Sequence, residues 1–349
     1  MITINYGTDI TQATYEALKA SDILTYLKPH FKVAIKPNLV LADPATNGAT
    51  THPQVVEGLV QFLKDFGVSN IKIMESASIG VSTVRAFSVC GYDSINKKYD
   101  VPLVCLKNDP TTKLEYKGLE ININNQALDT DFLINVPVLK AHCQTKLTCN
   151  MKNLKGCITD TEKRRYHTIG LHKPIAALTA LIKTGYCVID GICGDLTFEE
   201  GGNPTYANRI ITGRDPVMLD SFCAEQIGYS PMDIGYLEYA KEWGLGEFYT
   251  PETIVNELNA DKKPALSKKA SPIAERYAKY INENNACSVC YATAVHALYR
   301  CGGYVGKIYV GQGFKGKSEA GLGIGNCTSS FKNYVQGCPP KATDIIKSL

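Results

Sequence analysis

Short apolar runs alternate with helix-patterned segments along the first two thirds of the chain, and this rhythm restricts the fold more than any other feature. "FKVAIKPN" reads as a buried strand. "PQVVEGLVQFLKDFG" follows with helical spacing, Pro53 suiting its first turn and Gly67 its C-terminal cap. "NIKIMES", "VPLVCL" and "DFLINVPVL" are further strand candidates. "KPIAALTALIKTG" reads as a helix closed by Gly185, and "YCVIDG" as another strand. Strand–helix alternation of this kind predicts an α/β fold, a mainly parallel sheet with flanking helices. Ligands of such folds sit beyond the carboxyl ends of the strands.

The chain is 44% hydrophobic and 20% charged, enough apolar residue for a packed core. Its net charge of +3 is too small to make nucleic acid or an anionic membrane the expected partner. "MITINYGTDI" lacks the basic-then-apolar pattern of a signal peptide, and no run approaches the roughly 18 apolar residues of a membrane helix. A cytoplasmic location is therefore expected.

The polar, basic, proline-interrupted stretch 259–272 reads as a linker. It divides an α/β domain, 1–258, from a C-terminal module, 273–349, that opens on the helix-like "IAERYAKYINENN". No internal repeat is apparent. Five of the 13 cysteines fall in the last 63 residues: Cys287, Cys290, Cys301, Cys327 and Cys338. Cys105 and Cys187, set in apolar runs, read instead as buried small hydrophobes.

Cys287 and Cys290 form a C-x2-C pair, and Cys327 and Cys338 a second pair. The 36 residues between the pairs let the chain fold back and gather four thiols. Four thiolates suit a [4Fe-4S] cluster or a structural zinc. The wide second pair is unlike two short zinc-ribbon knuckles, and its Cys-Pro ending resembles bacterial ferredoxin sites, so the cluster is favoured over zinc and over unrelated free thiols. Pro340 suits the start of a short last helix, "KATDIIKSL". Cys301 shares a helical face with Cys290, Ala294 and Ala297, which favours core over ligand and leaves it as a reserve ligand.

"GQGFKGKS" matches the phosphate-binding loop pattern letter for letter, but that loop needs a helix starting at its Lys-Ser. The glycine-rich "EAGLGIGNC" follows instead, so nucleotide binding is not assigned.

Residues 139–173 hold eight Lys or Arg, two acids and three of the six histidines. The segment starts at the end of a strand, where a sheet ligand would sit. Its cations and imidazoles suit anion binding or proton transfer, although composition alone favours a solvated basic face. Lys36, Asn38, Thr51, His52 and Glu75 also lie at strand ends or helix starts.

"KPNLV", "TTHPQVVEGLV", "LINVPVLKAH", "KNLKG", "GLHKPIAAL" and "GRDPVMLDSF" resemble, in order, segments of the domain of unknown function 362 family over roughly residues 30–230. "CSVC…GIGNC…GCPPKA" resembles the ending of an iron–sulfur branch of that family. The resemblance implies binding roles for Lys36, Asn38, His52, Lys140, Lys152, Asn153 and Asp215, and catalytic ones for His142, His172 and Lys155. A fainter similarity of layout links the chain to the lactate racemases, which use a lysine-held nickel pincer cofactor.

These readings combine into one expectation: a [4Fe-4S] protein of anaerobic setting, an oxidoreductase passing electrons to a small anionic substrate or cofactor in a Lys/His cleft. Two alternatives stand beside it. One is a racemase-like isomerase with a structural cluster. The other is a non-enzymatic electron carrier that docks a redox partner protein.

Overall fold

The computed structural model describes residues 1–264 and 273–349. Among them two compact units are formed. The first takes 1–141, 147–163 and 172–264, and the second takes 142–146, 164–171 and 273–349. Most of the expected linker, 265–272, lies outside the described residues, and its first part carries a single 3-10 turn, Ala260–Lys262.

The first unit is built on eight strands. From edge to edge they are Val255–Leu258, Ile2–Tyr6, Pro204–Gly213, Thr184–Asp195, Phe132–Val136, Val33–Pro37, Ile71–Glu75 and Leu103–Cys105. The last five are mutually parallel, and only Pro204–Gly213 runs against the rest. The sheet is thus mainly parallel, with flanking helices. Val33–Pro37 and Phe132–Val136 are buried along their whole length, which explains their unbroken apolar runs. The helix Pro53–Asp65 sets Val55, Val56, Leu59, Val60 and Leu63 into the same core as Ile35, Ile73 and Ile134.

Three expectations need correction. Gly185 does not close a helix. That helix is His172–Leu181, and Gly185 lies in the next strand, where a Cβ would strike the ring of Phe132. Cys105 is only half-buried because its strand is the sheet edge, whereas Cys187 is fully buried. "IAERYAKYINENN" is α-helical only over Ile273–Tyr277 and continues as a 3-10 turn over Ala278–Tyr280. Ile281–Glu283 is a strand, drawn out of the helix by its pairing with Ile308–Val310.

The second unit holds a parallel sheet of four three-residue strands in chain order: Ile281–Glu283, Ile308–Val310, Leu322–Ile324 and Asn333–Val335. The helix Ser288–Cys301 packs against the last helix, Ala342–Ile346, which starts after Pro340 rather than at it. No helix among the described residues is long and apolar enough to cross a membrane.

Candidate functional site

In the first unit a buried polar network lies at the carboxyl ends of the central strands. Lys36 ends its strand fully buried, and its Nζ donates to Glu75 Oε2 (2.9 Å), Pro37 O (2.9 Å) and Asn153 Oδ1 (3.3 Å). Glu75 also accepts from the backbone N–H of Leu39 (3.1 Å) and Ser76 (2.7 Å), which holds its carboxylate in place. Asn153 donates to Lys36 O and to Asn135 Oδ1, tying two neighbouring strands together. Gly156 makes room for the ion pair, because a Cβ there would lie on Glu75 Oε1 and Lys36 Nζ.

A second buried pair stands nearby in the sheet. His52 caps the helix Pro53–Asp65 without a side-chain cap bond. Its Nδ1 lies 2.8 Å from Asp190 Oδ2, and its backbone N–H donates to the same oxygen at 2.7 Å. Burial alone would depress the imidazole pKa, but the charge and hydrogen bond of Asp190 outweigh it and lift the pKa to about 10. Cys193 Sγ approaches His52 Nε2 at 3.9 Å. His52 also borders a cavity of about 390 Å³ lined by Ala45, Gln54, Cys90, Ile192 and Asn208 among others.

Lys140 is buried, and its ammonium donates to the carbonyls of Ala49 (2.6 Å) and Glu199 (2.7 Å). Burial pulls its pKa down to about 8, against the opposing pull of Glu199, Glu200 and Asp195. His172 begins its helix with its ring stacked on Tyr236, and its Nδ1 has no hydrogen-bond partner among the described residues. Burial and the charge of Lys152 lower its pKa, so the imidazole is neutral at pH 7. Lys152 Nζ donates to Thr148 Oγ1 (3.0 Å) from the single turn Asn150–Asn153, and the half-buried Lys155 follows in the 3-10 turn Leu154–Cys157.

Two expected residues serve local structure. Asn38 Oδ1 accepts from Val40 N. Asp215 caps the helix Pro216–Gln226 through the N–H groups of Val217 and Met218, and its other oxygen accepts from Glu247 N. Both carboxylate oxygens therefore accept from backbone, which gives Asp215 a capping part. His142 belongs to the second unit, and its Nδ1 accepts from Gln144 N and Thr145 N. That pattern leaves the ring proton on Nε2.

Several buried groups escape a reading of the sequence. Asp190 ends an apolar run, "YCVID", and its place after that run is the one available signal. Lys163 sits inside the basic run "EKRR", yet it is buried and donates to Ser76 O, Ser76 Oγ and Ala77 O. Burial takes its pKa to about 7. Asp220 is buried and accepts from Asn150 N, Asn150 Nδ2 and Met151 N, which anchors the turn bearing Lys152 and Asn153.

In the second unit, parallel strands place equivalent turns at one edge. Cys327 follows Ile324 by three residues, Cys338 follows Val335 by three, and Cys287 follows Glu283 by four. The turn after Val310 offers Gly313 instead. Cys287 caps the helix Ser288–Cys301, so Cys290 stands in its first turn. The thiols feel one another. Burial first, then Cys287, Cys338 and Cys327, push Cys290 up to about 12. Burial also raises Cys287, with Cys327 and Cys338 adding to it while Lys315 and Gln312 oppose. Gln312 Nε2 lies 3.8 Å from Cys287 Sγ. Four cysteines carried on the turns at one edge allow metal binding.

Cys301 is exposed at the far end of the same helix, not core. Its face is apolar at Ala294 and Ala297, but the last turn runs past that packing to Gly302. Eleven residues at about 1.5 Å each put it roughly 16 Å from Cys290, too far to share a metal centre. "GQGFKGKS" follows the strand Ile308–Val310 and forms the 3-10 turn Gln312–Phe314, then runs into exposed residues 315–320, with no helix directly after Ser318 to meet a phosphate.

Known proteins place this chain. A thylakoid-associated protein of Synechocystis is 28% identical over 231 residues, 63% of this chain and 70% of that one. The lactate racemase apoprotein of Thermoanaerobacterium thermosaccharolyticum aligns with TM-score 0.42 and 12% identity over 64% of this chain and 57% of its own. A Thermotoga maritima protein aligns with TM-score 0.40 and 14% identity over 68% of this chain and 60% of its own. The chain thus spans less than two thirds of either solved structure. The model of the family described as domain of unknown function 362 matches residues 33–225, more than half of the sequence, and the chain belongs to that family.

Proposed function

We propose that this chain is a cytoplasmic iron–sulfur redox protein, in which Cys287, Cys290, Cys327 and Cys338 hold one [4Fe-4S] cluster and the first unit binds a small anionic molecule. One observation carries the reading: three of the four turns of the parallel sheet present cysteine at one edge, and the first turn of a helix adds the fourth. The wide second pair with its Cys-Pro ending supports a cluster over the two short knuckles of a zinc ribbon. Burial raises the Cys287, Cys290 and Cys327 thiols, so binding of either a cluster or zinc would release their protons.

When bound, such a cluster supplies one-electron transfer. Four cysteine ligands leave no iron corner open to substrate, which favours electron relay over Lewis-acid catalysis. The buried ammonium groups of Lys140 and Lys163 are held by carbonyl and hydroxyl oxygens, and burial drives their pKa values down. An anion near them would favour their charged forms. His172, neutral and partnerless at Nδ1, is the group suited to take a proton.

The test is iron and acid-labile sulfide on oxygen-protected protein, followed by reduction with dithionite. Four irons and four sulfides per chain, bleaching and a paramagnetic reduced state are expected. Stoichiometric zinc without sulfide would overturn the cofactor. A bound cluster that cannot be reduced would overturn the redox role and turn attention to isomerase chemistry in the first unit.

A further inference from the structure

The last 48 residues hold six lysines and two acids, a net charge of +4. The whole chain carries +3, so the preceding 301 residues carry −1. The protein's net positive charge therefore comes from the segment that holds Cys327 and Cys338.

The placement of that charge is specific. Lys315 leaves the turn after Val310, is exposed, and acts electrostatically on both the Cys287 and Cys327 thiols. Lys317 follows on the same turn, where its N–H bonds to Phe314 O, and is exposed. Lys341 is exposed three residues beyond Cys338, which is itself exposed. Glu319 is the one exposed acid of these 48 residues, because Asp344 is half-buried. Lys315, Lys317 and Lys341 thus form a basic rim on the turns of the edge where thiols reach solvent, with Glu283 and Glu319 as the exposed acids on the same turns.

We propose that this rim is the docking surface of a one-electron carrier protein with an acidic face, and that electrons reach the chain at the edge bearing Cys338. The inference rests on the cluster reading above. Carrier and bound cluster exchange one electron: the carrier is oxidised by one, the cluster is reduced by one, and no proton moves. A concentrated basic rim raises association rates with an acidic partner by about 10- to 1,000-fold at low salt and loses that advantage as salt screens it. Exposure of Cys338 favours close approach of the two redox centres.

Stopped-flow reduction of the reconstituted holoprotein tests the proposal, with reduced plant-type [2Fe-2S] ferredoxin as an acidic probe and photoreduced deazaflavin as a small reductant. The ferredoxin rate should fall at least tenfold between about 20 and 300 mM salt. The triple variant Lys315→Glu, Lys317→Glu, Lys341→Glu should lower it on the order of 10- to 100-fold at low salt, with the deazaflavin rate and the iron content unchanged. A ferredoxin rate indifferent to both salt and the triple variant overturns the docking surface while leaving the cluster intact. A holoprotein that deazaflavin cannot reduce removes the electron-transfer reading, and the docking proposal falls with it.

Discussion

Replacing Gly156 by alanine tests how tightly the first unit's polar network is built. The new Cβ would occupy space held by Glu75 Oε1 and Lys36 Nζ. Both atoms end flexible side chains, which usually swing aside at little cost. Here they cannot. Glu75 is pinned by Leu39 N, Ser76 N and Lys36, and Lys36 by Pro37 O and Asn153. The side chains of the pair are 1% and 4% exposed, so a displaced charge finds no water. Forcing it apart therefore approaches the cost of breaking a buried ion pair, about 3–5 kcal/mol. Partial relaxation of the turn Leu154–Cys157 brings the expectation to about 3 kcal/mol, or a fall in Tm of about 6–12 °C for a unit of this size. Calorimetry at pH 7 on wild type, Gly156→Ala, Lys36→Met/Glu75→Met and the triple combination separates the cause. If the collision is with the pair, the alanine should cost markedly less in the background that lacks it. A Tm shift under about 2 °C, or an equal penalty in both backgrounds, would refute the reasoning.

Other outcomes follow from the same geometry. The folded His52 pKa of about 10 lies above its unfolded value near 6.5, so the contribution of its pairing with Asp190 is complete below pH 6.5 and fades as pH rises through 10. The stability gap between wild type and Asp190→Asn should narrow over that window in urea titrations; a gap independent of pH would contradict the pairing. Lys140 behaves oppositely. Its folded pKa of about 8 lies below its unfolded value near 10.4, so stability should rise with pH between them, and Lys140→Met should remove that rise. Asp215→Ala should cost about 1–2 kcal/mol by denaturant unfolding through loss of its cap, without altering ligand affinity measured calorimetrically. Cys290→Ser should lose most of the iron and sulfide of the reconstituted protein, whereas Cys301→Ser should retain them.

The strand–helix rhythm was legible because a parallel sheet buried on both faces demands unbroken apolar strands, and Val33–Pro37 and Phe132–Val136 supply them. Lys36 at a strand end and His52 at a helix start were legible by position alone. Their partners were not. Glu75 reaches Lys36 from 39 residues away and Asp190 reaches His52 from 138, distances over which sequence pattern carries no pairing information. Lys163 shows the limit most clearly, since a lysine in a basic run gives no sign that Ser76 and Ala77 will enclose it. Asp215 shows the reverse, because an acid just before a helix satisfies orphan N–H groups whether or not a ligand exists. In the C-terminal unit the sequence determined that four thiols were available. Only the tertiary structure decided that parallel three-residue strands bring their turns to one edge, while the length of a helix carries Cys301 away, because spacing along a chain becomes spacing in space only once the backbone has chosen its path.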